Sequence, residues 1–516
     1  MQSEDSPSLL FMNTTMKKSI LALTLLFIVS IQTFAQGVDD AITYSQTFYE
    51  GTGRSMAMGG ATGAMGGDFT ALCINPAGLG LYRSSEITFT TGIQHNLNTA
   101  RYYGERHSKG LTKMSIPNFG YVLAMPCSNY KPLRYMHFAL GLTRTNDHNY
   151  RSYFRGLNPS SSFIDSYLQT INGIDDLFNP FVDAGDYLNN NYPYDIHPAW
   201  QTYLIDQFED SLGIYYDSPI PQGDVYQQNT VSSTGRSEEW TMAFSANLID
   251  KVYIGASLGF AHIKRRSTRT YIENPGTIGS NNTFTEWSFE EELKDDAWGI
   301  NAKFGLIYAP VHWLRLGATV HSNTLYSFDE VWYTTTKATL LDNHHEKYNQ
   351  YYSPTLNNNY DFYTPASYTV SAAFIIGQHG MITTDAEYMN YGKSKLKSDL
   401  YSFSNANQDI KEILRPTFNL RLGTEWRVYQ FFLRGGVAYY GSPFGFGDPY
   451  GSMKKLGFGI GYATHADTFW DFAYELSEST TAYTPYQYYI EGSNNVESAI
   501  QHRWRSKLVA TLKIKM

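Results

Sequence analysis

Cysteine is scarce in this chain, and long apolar runs are scarcer. Its 516 residues include only 2 Cys, Cys73 and Cys127, whose pairing the sequence leaves open, so a dense disulfide framework is excluded. After residue 36, no apolar run reaches the roughly 18 residues that a membrane-spanning helix needs. An excess of positive charge is also missing, since the formal net charge is −9, and this argues against nucleic acid as a partner.

A glycine-rich stretch, residues 53–80, lacks the residues of a nucleotide site. The segment GRSMAMGGATGAMGGDFTALCINPAGLG has no Lys-Ser or Lys-Thr after its glycines, and Gly51-Thr52-Gly53 has no third glycine three residues on. Phosphate-binding loops need one or the other. The stretch therefore does not predict a phosphate-binding loop, and its many small residues need another explanation.

The N-terminus has the three parts of a secretory signal peptide. Two lysines precede an apolar run from Ile20 to Ile31, and Thr33-Phe34-Ala35 forms a small-residue cleavage site. We therefore expect residues 1–35 to be removed on Sec export, with Met16 as the true start. Because no Cys stands at the cleavage point, a lipid anchor is not expected.

Aromatic residues and glycine are abundant: the chain has 42 Tyr, 30 Phe and 42 Gly. Beyond Arg83, apolar and polar residues alternate in segment after segment, which is the pattern of strands with one apolar face. One example has Phe418, Leu420, Leu422 and Trp426 on one face and Asn419, Arg421, Glu425 and Arg427 on the other. An all-β architecture follows.

The connections between these strands alternate in length. About six tight turns and about seven long polar connections predict about fourteen strands, an even number with both ends on the short-turn side. A closed barrel also gives every backbone group a partner inside a membrane. We therefore predict a transmembrane antiparallel β-barrel over residues 84–516, with a long extracellular loop at residues 151–236.

The glycine-rich stretch resembles the N-terminal hatch of the FadL family of outer-membrane transporters of long-chain fatty acids and hydrocarbons. The resemblance rests on Met58-Gly59-Gly60-Ala61, Asp68 and Asn75-Pro76-Ala77-Gly78-Leu79. It implies that residues 36–83 plug the barrel, near a kinked strand whose defect opens a lateral path. The residues expected to act in the hatch and its gating are Gly59, Gly60, Asp68, Asn75, Pro76 and Ala77. Alternatively, these residues only let the plug fold.

The long outer loop carries apolar residues at helical spacing. Two short amphipathic helices fit the spacing of Ile164, Leu168, Ile171, Ile174, Phe178 and Phe181, and then of Trp200, Leu204, Phe208 and Leu212. The resemblance implies a groove that captures a hydrophobic ligand outside the cell. The expected capture residues are Ile164, Leu168, Ile171, Phe178, Trp200, Leu204 and Phe208. The alternative is that both stripes pack against each other and the barrel mouth.

Charged residues on the inward strand faces form a second candidate set. A carboxylate ligand would use one Arg or Lys for its head group, whereas salt-bridge ladders would use them all to stiffen the lumen. The set comprises Lys303, Arg315, Asp385, Glu387, Arg421, Glu425, Arg427, Arg434, Asp471, Glu475, Arg503 and Arg505. The sequence does not single out a ligand partner.

The resemblance implies passive transport of hydrophobic small molecules, fatty acids or hydrocarbons, across a Gram-negative outer membrane, with hatch-gated lateral release. The expected partners are the ligand and outer-membrane lipid, and a monomeric barrel suffices. Alternatives are a non-transporting barrel that docks secreted proteins and a haem-binding barrel. No cofactor is expected. Neither a metal site at His344-His345 nor a catalytic triad is indicated, so an enzyme is not expected.

Overall fold

One antiparallel sheet closes on itself, because the first strand, β1 (Glu86–Tyr102), pairs along its length with the last, β23 (Ala499–Lys515). The computed structural model describes residues 37–127, 132–211, 213–276, 283–342, 345–445, 447–464, 467–490 and 492–516. The predicted signal peptide, Leu212 and His344 lie outside these residues. The closed barrel has 14 strand positions, so the predicted fold is confirmed.

Three of the strand positions are each built from two strands with a short interruption. These composite positions are β3 with β4, β10 with β11, and β13 with β14. The strands between β1 and β23 are, in chain order, β2 Glu105–Pro126, β3 Leu133–Asp147, β4 Tyr150–Asn158, β5 Asp206–Asp210, β6 Gly213–Asp217, β7 Val225–Leu248, β8 Val252–Pro275, β9 Phe284–Val311, β10 Leu314–His321, β11 Leu325–Asp342, β12 His345–Tyr352, β13 Leu356–Tyr363, β14 Ser367–Ile376, β15 Gly380–Asn390, β16 Lys395–Lys397, β17 Pro416–Val428, β18 Phe431–Tyr440, β19 Met453–Ala463, β20 Thr468–Tyr483, β21 Tyr489–Ile490 and β22 Ser493–Asn494.

The strands turn their apolar faces outward and their polar faces into the lumen. On β17, Phe418 and Leu420 are exposed on the outside, whereas Asn419 and Arg421 are buried inside. A band of exposed apolar side chains surrounds the barrel in this way, and hydrocarbon is the environment that such a band fits. The alternation read from the sequence therefore predicts the direction of the side chains as well as the strands.

The two ends of the barrel differ. At one end the turns are tight: three residues connect Leu248 to Val252 between β7 and β8, and two of them, Ile249 and Asp250, adopt left-handed φ values of 51° and 58°. We call the other end, with the long connections, the outer end. In the described part of the chain, seven α-helices fill the lumen or cover the outer end: α1 Val38–Ser45, α2 Gly53–Ala57, α3 Ala71–Ile74, α4 Phe163–Ile171, α5 Ala184–Asn191, α6 Ile196–Gln201 and α7 Ser404–Ile413.

Within the described ranges, no helix is both long and apolar enough to cross a membrane.

The long outer connection differs from its prediction in three respects. The first predicted helix is wrong beyond Ile171, where α4 ends before Gly173, and Asp175–Phe178 forms a separate 3-10 turn. Strand β4 and the first residues of β7 lie inside the predicted loop 151–236, because the wall strands continue beyond the apolar band. The second predicted helix is wrong beyond Gln201. Tyr203 at φ 59° interrupts the helical backbone, and β5 and β6 form a hairpin in which Phe208 pairs with Tyr215.

Candidate functional site: hatch, lumen cavity and interrupted wall

The predicted hatch lies inside the barrel, on the short-turn side. From Gly51 to Leu79 nearly every residue is buried, and the wall strands present glycines to it. A Cβ added at Gly423 would lie 2.6 Å from Met58 O, and one at Gly436 would lie 2.1 Å from Met58 C. Small residues on both surfaces therefore let the two backbones meet. Gly59 adds a left-handed φ of 63°, and a Cβ there would lie 2.9 Å from Val437 O.

Asp68 is a charged anchor of the hatch. It is fully buried, and its carboxylate accepts hydrogen bonds from Thr52 Oγ1 at 2.8 Å and Thr70 N at 3.0 Å. Lys513 on β23 reaches it from the wall, with Nζ 2.7 Å from Oδ2. The same Nζ lies 3.2 Å from Asp471 on β20, so Asp68 joins a buried ionic network.

Arg54 connects the hatch to the same network from α2. Its guanidinium binds Glu425 on β17 through two hydrogen bonds of 2.8 and 2.9 Å. Arg434 on β18 then joins Glu425 and Asp471, each at 2.6 Å. Because these charges are opposed and all but Arg54 are buried, removing one member takes a partner away from each of its neighbours.

Asn75, Pro76 and Ala77 seat the hatch on a different part of the wall. Asn75 Nδ2 donates to Gly63 O at 2.8 Å and to Leu306 O on β9 at 3.3 Å, and Asn75 Oδ1 accepts from Ala77 N at 3.0 Å. A Cβ at Gly255 on β8 would lie 2.4 Å from Pro76 C. This is the arrangement expected of residues that hold the hatch against the wall. Their gating role stays a prediction.

The wall is interrupted between β3 and β4. Asp147 Oδ1 accepts from Asn149 N at 2.9 Å, a local turn that ends the strand. Opposite, Gly235 on β7 has a φ of 152°, and its carbonyl accepts from His148 N at 3.2 Å and Asn149 Nδ2 at 3.0 Å. The chain then resumes as β4 along β7, displaced toward the lumen, where Gln94 on β1 donates to Asp147 at 3.1 Å.

This displacement leaves part of the wall without a strand ladder. β2 pairs with β3 only from Asn118 to Pro126, and within the described chain no strand continues that ladder beside residues 105–117 of β2. The inner face of β2 instead meets the outward face of β4, where the ring of Tyr153 lies 5.1 Å from that of His107. We refer to this gap between β2 and β4 as the slot.

The N-terminal part of the hatch binds directly at the interruption. Phe48 N donates to Thr145 O at 2.7 Å, and Glu50 N donates to Arg144 O at 2.8 Å, so residues 46–50 extend the edge of β3. Glu50 also forms an ion pair with Lys507 on β23. No motif in the sequence marks this segment. At the interruption itself the hatch contact comes from this segment and not from Asn75 to Ala77, whereas Phe69 packs against β3 farther along, at Gly141.

A cavity of about 1010 Å³ lies above the hatch and beside the interruption. Its walls mix apolar residues, such as Ile42, Leu293 and Phe444, with charged ones. Arg503 on β23 projects into it with its guanidinium 4.0 Å from the ring of Tyr150 on β4. The cavity is therefore amphipathic, whereas a uniformly apolar pocket would suit a hydrocarbon better.

Most of the predicted inward charges pair with one another or with the hatch. Lys303 pairs with Glu239 and Arg421 with Glu387, and the network above uses Glu425, Arg434 and Asp471. Arg427 is exposed instead. Arg503 and Arg505 differ from the rest because both line the cavity, and among the described residues neither has a carboxylate within ion-pair distance. Salt-bridge ladders therefore account for most of the set.

The outer connection folds into a cap with its own core. Among the predicted capture residues, Ile164, Ile171 and Leu204 are fully buried there, and Leu168 and Trp200 pack against them. Phe178 and Phe208 remain 37% and 45% exposed. As the structure stands, the three fully buried residues do not face a ligand, and the capture role stays a prediction for the other four. Both cysteines are free: Cys73 is buried and Cys127 is exposed.

The cap is fixed to the barrel by a buried carboxylate. Glu273 near the outer end of β8 accepts hydrogen bonds from Ser162 Oγ at 2.5 Å, Phe163 N at 2.9 Å and Trp287 Nε1 at 2.8 Å. Ser162 also caps α4, where Asp165 accepts from its backbone N–H at 2.7 Å. Burial, with Glu273 nearby, raises the pKa of Asp165 to about 6.

A closed antiparallel barrel, apolar outside, filled by an N-terminal hatch and interrupted beside a lumen cavity, defines the class: a hatch-containing transmembrane β-barrel.

Comparisons with solved structures agree with this class. The chain is similar to a crystal structure of a Pseudomonas aeruginosa FadL homologue, with a TM-score of 0.53 and 12% identity over 91% of this chain and 99% of that one. It is also similar to the P. putida toluene transporter TodX, with a TM-score of 0.51 and 14% identity over 90% of this chain and 98% of that one. No protein-family model and no curated protein matches the sequence. The chain therefore has the FadL-type fold, and the resemblance seen in the hatch motif is confirmed at that level.

Proposed function

We propose that this barrel is a passive transporter of hydrophobic small molecules in a Gram-negative outer membrane. The ligand enters the lumen cavity from the outer end and leaves sideways through the slot into the membrane. The observation that carries this proposal is the interruption at His148 and Asn149, which opens the wall beside the cavity: Tyr150 and Ser152 of β4 line the cavity on their inner face.

A lateral exit requires less disruption than a path through the hatch. Straight passage would break buried ion pairs such as Arg54–Glu425 and Asp68–Lys513, whereas the slot crosses no strand ladder. A ligand that leaves into the membrane also keeps its apolar burial, worth about 0.8 kcal/mol per CH₂. The fold therefore favours release into hydrocarbon over release into water.

We infer that the hatch influences the slot through residues 46–50. These residues hold the end of β3 by backbone hydrogen bonds at Thr145 and Arg144, immediately before the interruption. A movement of this segment would shift the first residues of β4, and with them the width of the slot. Gating by the hatch would then need a small displacement of its N-terminal part and no unplugging of the barrel.

The polarity of the cavity supports an amphipathic ligand. Arg503 and Arg505 project from β23, and Arg505 Nε donates to Asn96 Oδ1 at 3.1 Å. An Arg beside apolar wall residues suits a fatty acid, whose carboxylate it can bind through a charge-assisted hydrogen bond. Docking of a secreted protein does not require an open cavity of about 1010 Å³ in the lumen, whereas passage of a small molecule does.

Closing the slot tests the proposal. In a Cys127→Ser background, which removes the exposed thiol, His107→Cys with Tyr153→Cys would be joined by a short bifunctional thiol reagent. We expect uptake of a fluorescent long-chain fatty acid into proteoliposomes to fall to the protein-free rate after cross-linking, but not before it.

The matched control joins Thr99→Cys to Ser108→Cys, a pair already within one hairpin whose hydroxyls lie 2.8 Å apart. It receives the same reagent without bridging the slot, so uptake should persist. Unchanged uptake through the bridged slot would refute lateral release.

A further inference from the structure

Two strand faces meet across the slot, the inner face of β2 and the outward face of β4. On the outward face of β4, the ring of Tyr153 lies 5.2 Å from Lys109 Nζ on β2. Arg151 and Arg155 share the face of Tyr153, two residues to either side, and Lys113 shares the face of Lys109. Four cations therefore converge on one slot: Lys109, Lys113, Arg151 and Arg155.

Among the described residues, none of the four cations forms an ion pair with a carboxylate. The acids nearest to them in sequence have other partners: Glu105 pairs with His107 at 2.9 Å, and Asp147 pairs with Arg144 at 3.2 Å. Arg155 instead stacks on the ring of Tyr226, 4.5 Å away. The net charge of the chain is −9, so a local concentration of four positive charges is unusual in it and favours an anionic partner.

The rim stands at the outer limit of the apolar band. In the β1–β2 ladder, Ile93 pairs with Met114 and Leu97 with Gly110, so Lys113 and Lys109 lie level with the last outward apolar residues of β1. Met114 and Ile116, next to the rim, are 79% and 53% exposed. Apolar surface and positive charge are therefore adjacent, which suits an amphiphile with its acyl chains beside the band and its anionic group above.

We propose that the slot rim, Lys109, Lys113, Arg151 and Arg155, binds the phosphate groups of a glycolipid in the outer leaflet. Phosphate is the anion that Arg and Lys clusters bind through charge-assisted hydrogen bonds, and basic residues beside a membrane span attract anionic headgroups. The lipid would then occupy the mouth of the slot. This inference rests on the proposed membrane location but not on transport.

Binding of diphosphoryl lipid A to the full chain in detergent tests the proposal, with dephosphorylated lipid A as the comparison. We expect the phosphorylated lipid to bind about tenfold more tightly, as one or two charge-assisted contacts would give. Replacing all four rim cations by Gln should abolish the difference, and higher salt should reduce it. Exchanging each Lys for Arg and each Arg for Lys should restore most of it.

The matched control replaces four exposed lysines elsewhere at the outer end: Lys393, Lys395, Lys397 and Lys411. It should keep the full preference for the phosphorylated lipid. Equal affinity for the two lipids, or equal losses in rim and control variants, would overturn the proposal. Displacement of the lipid by inorganic phosphate at matching concentration would also overturn it, since the site would then be one for free phosphate. Fatty-acid uptake by the same variants is a separate readout, so that failure of lipid binding and failure of transport are told apart.

Discussion

Replacing Asp68 by Asn should loosen the hatch and leave the barrel closed. Asp68 is buried, and its carboxylate carries the ion pair with Lys513 as well as bonds from Thr52 and Thr70. Removing one partner of a buried ion pair costs about 3–5 kcal/mol. Because Lys513 keeps Asp471 at 3.2 Å and Asn can still accept from Thr70, we expect the lower end, about 3 kcal/mol.

Amide hydrogen exchange measures this loss directly. At tenfold for every 1.4 kcal/mol, about 3 kcal/mol raises the exchange of hatch amides that open locally by roughly a hundredfold. The barrel strands should exchange as before, because their ladders do not use Asp68. Asp250→Asn is the matched control: Asp250 pairs with Arg83 at 2.8 Å, but both side chains are about half exposed, so the effect should stay below about 1 kcal/mol.

Two results would refute the reasoning. An increase below about tenfold in the hatch of Asp68→Asn would mean that the ion pair contributes little to seating it. An equal increase in the barrel strands would mean that the hatch and wall open as one unit.

Three further predictions concern the cap, the hatch seat and the interrupted strand. Folding raises the pKa of Asp165 from 3.8 to about 6. The stability of α4 should therefore be highest below pH 4 and should fall by on the order of 2 kcal/mol as the pH rises through 6. In hydrogen exchange, Asp165→Asn should flatten this pH profile. Gly255→Ala places a Cβ 2.4 Å from Pro76 C, so the hatch should become protease-sensitive while the barrel stays folded by circular dichroism. Phe48→Pro removes the donor to Thr145 O at 2.7 Å and should change fatty-acid uptake while exchange around Asp68 stays as in the unchanged protein.

The barrel could be predicted from the sequence because its strands obey one local rule. A wall residue faces either hydrocarbon or lumen, so polarity alternates with a period of two wherever the chain crosses, as in β17. The cap follows no such rule. Trp200, Leu204 and Phe208 match a helical period, yet Phe208 lies in a hairpin that continues through Gly213 at φ 126°. Short apolar spacings do not decide between helix and hairpin when packing partners are distant in sequence.

The interruption depends on residues that only the fold brings together. The turn at Asp147 to Asn149 is local, but it is completed by Gly235, which lies on β7 after the whole cap. Two signals were present: a run of turn-forming Asp, His and Asn within a strand pattern, and a lone Gly among Ser and Thr. Neither signal predicts the position of the other unless the register in which β3 and β4 pair with β7 is known. The sequence does not mark the hatch segment 46–50 as a contact of β3, because its hydrogen bonds to β3 use backbone atoms, which leave little trace in the side-chain pattern.

The positions of the hatch anchors and the slot limit how such a barrel could open. The ion pairs of Arg54 and Asp68 hold the hatch against β17, β20 and β23, and Asn75 holds it against β9. Each anchor must break before the hatch can leave, and each buried ion pair alone costs about 3 kcal/mol or more. Residues 46–50, in contrast, hold β3 by backbone hydrogen bonds, worth about 1 kcal/mol each, and have one charged anchor, Glu50, which pairs with Lys507 and lies 4.0 Å from Arg144. We therefore expect the slot to widen with the hatch still seated, so that a lateral path opens at a lower free-energy cost than an axial one.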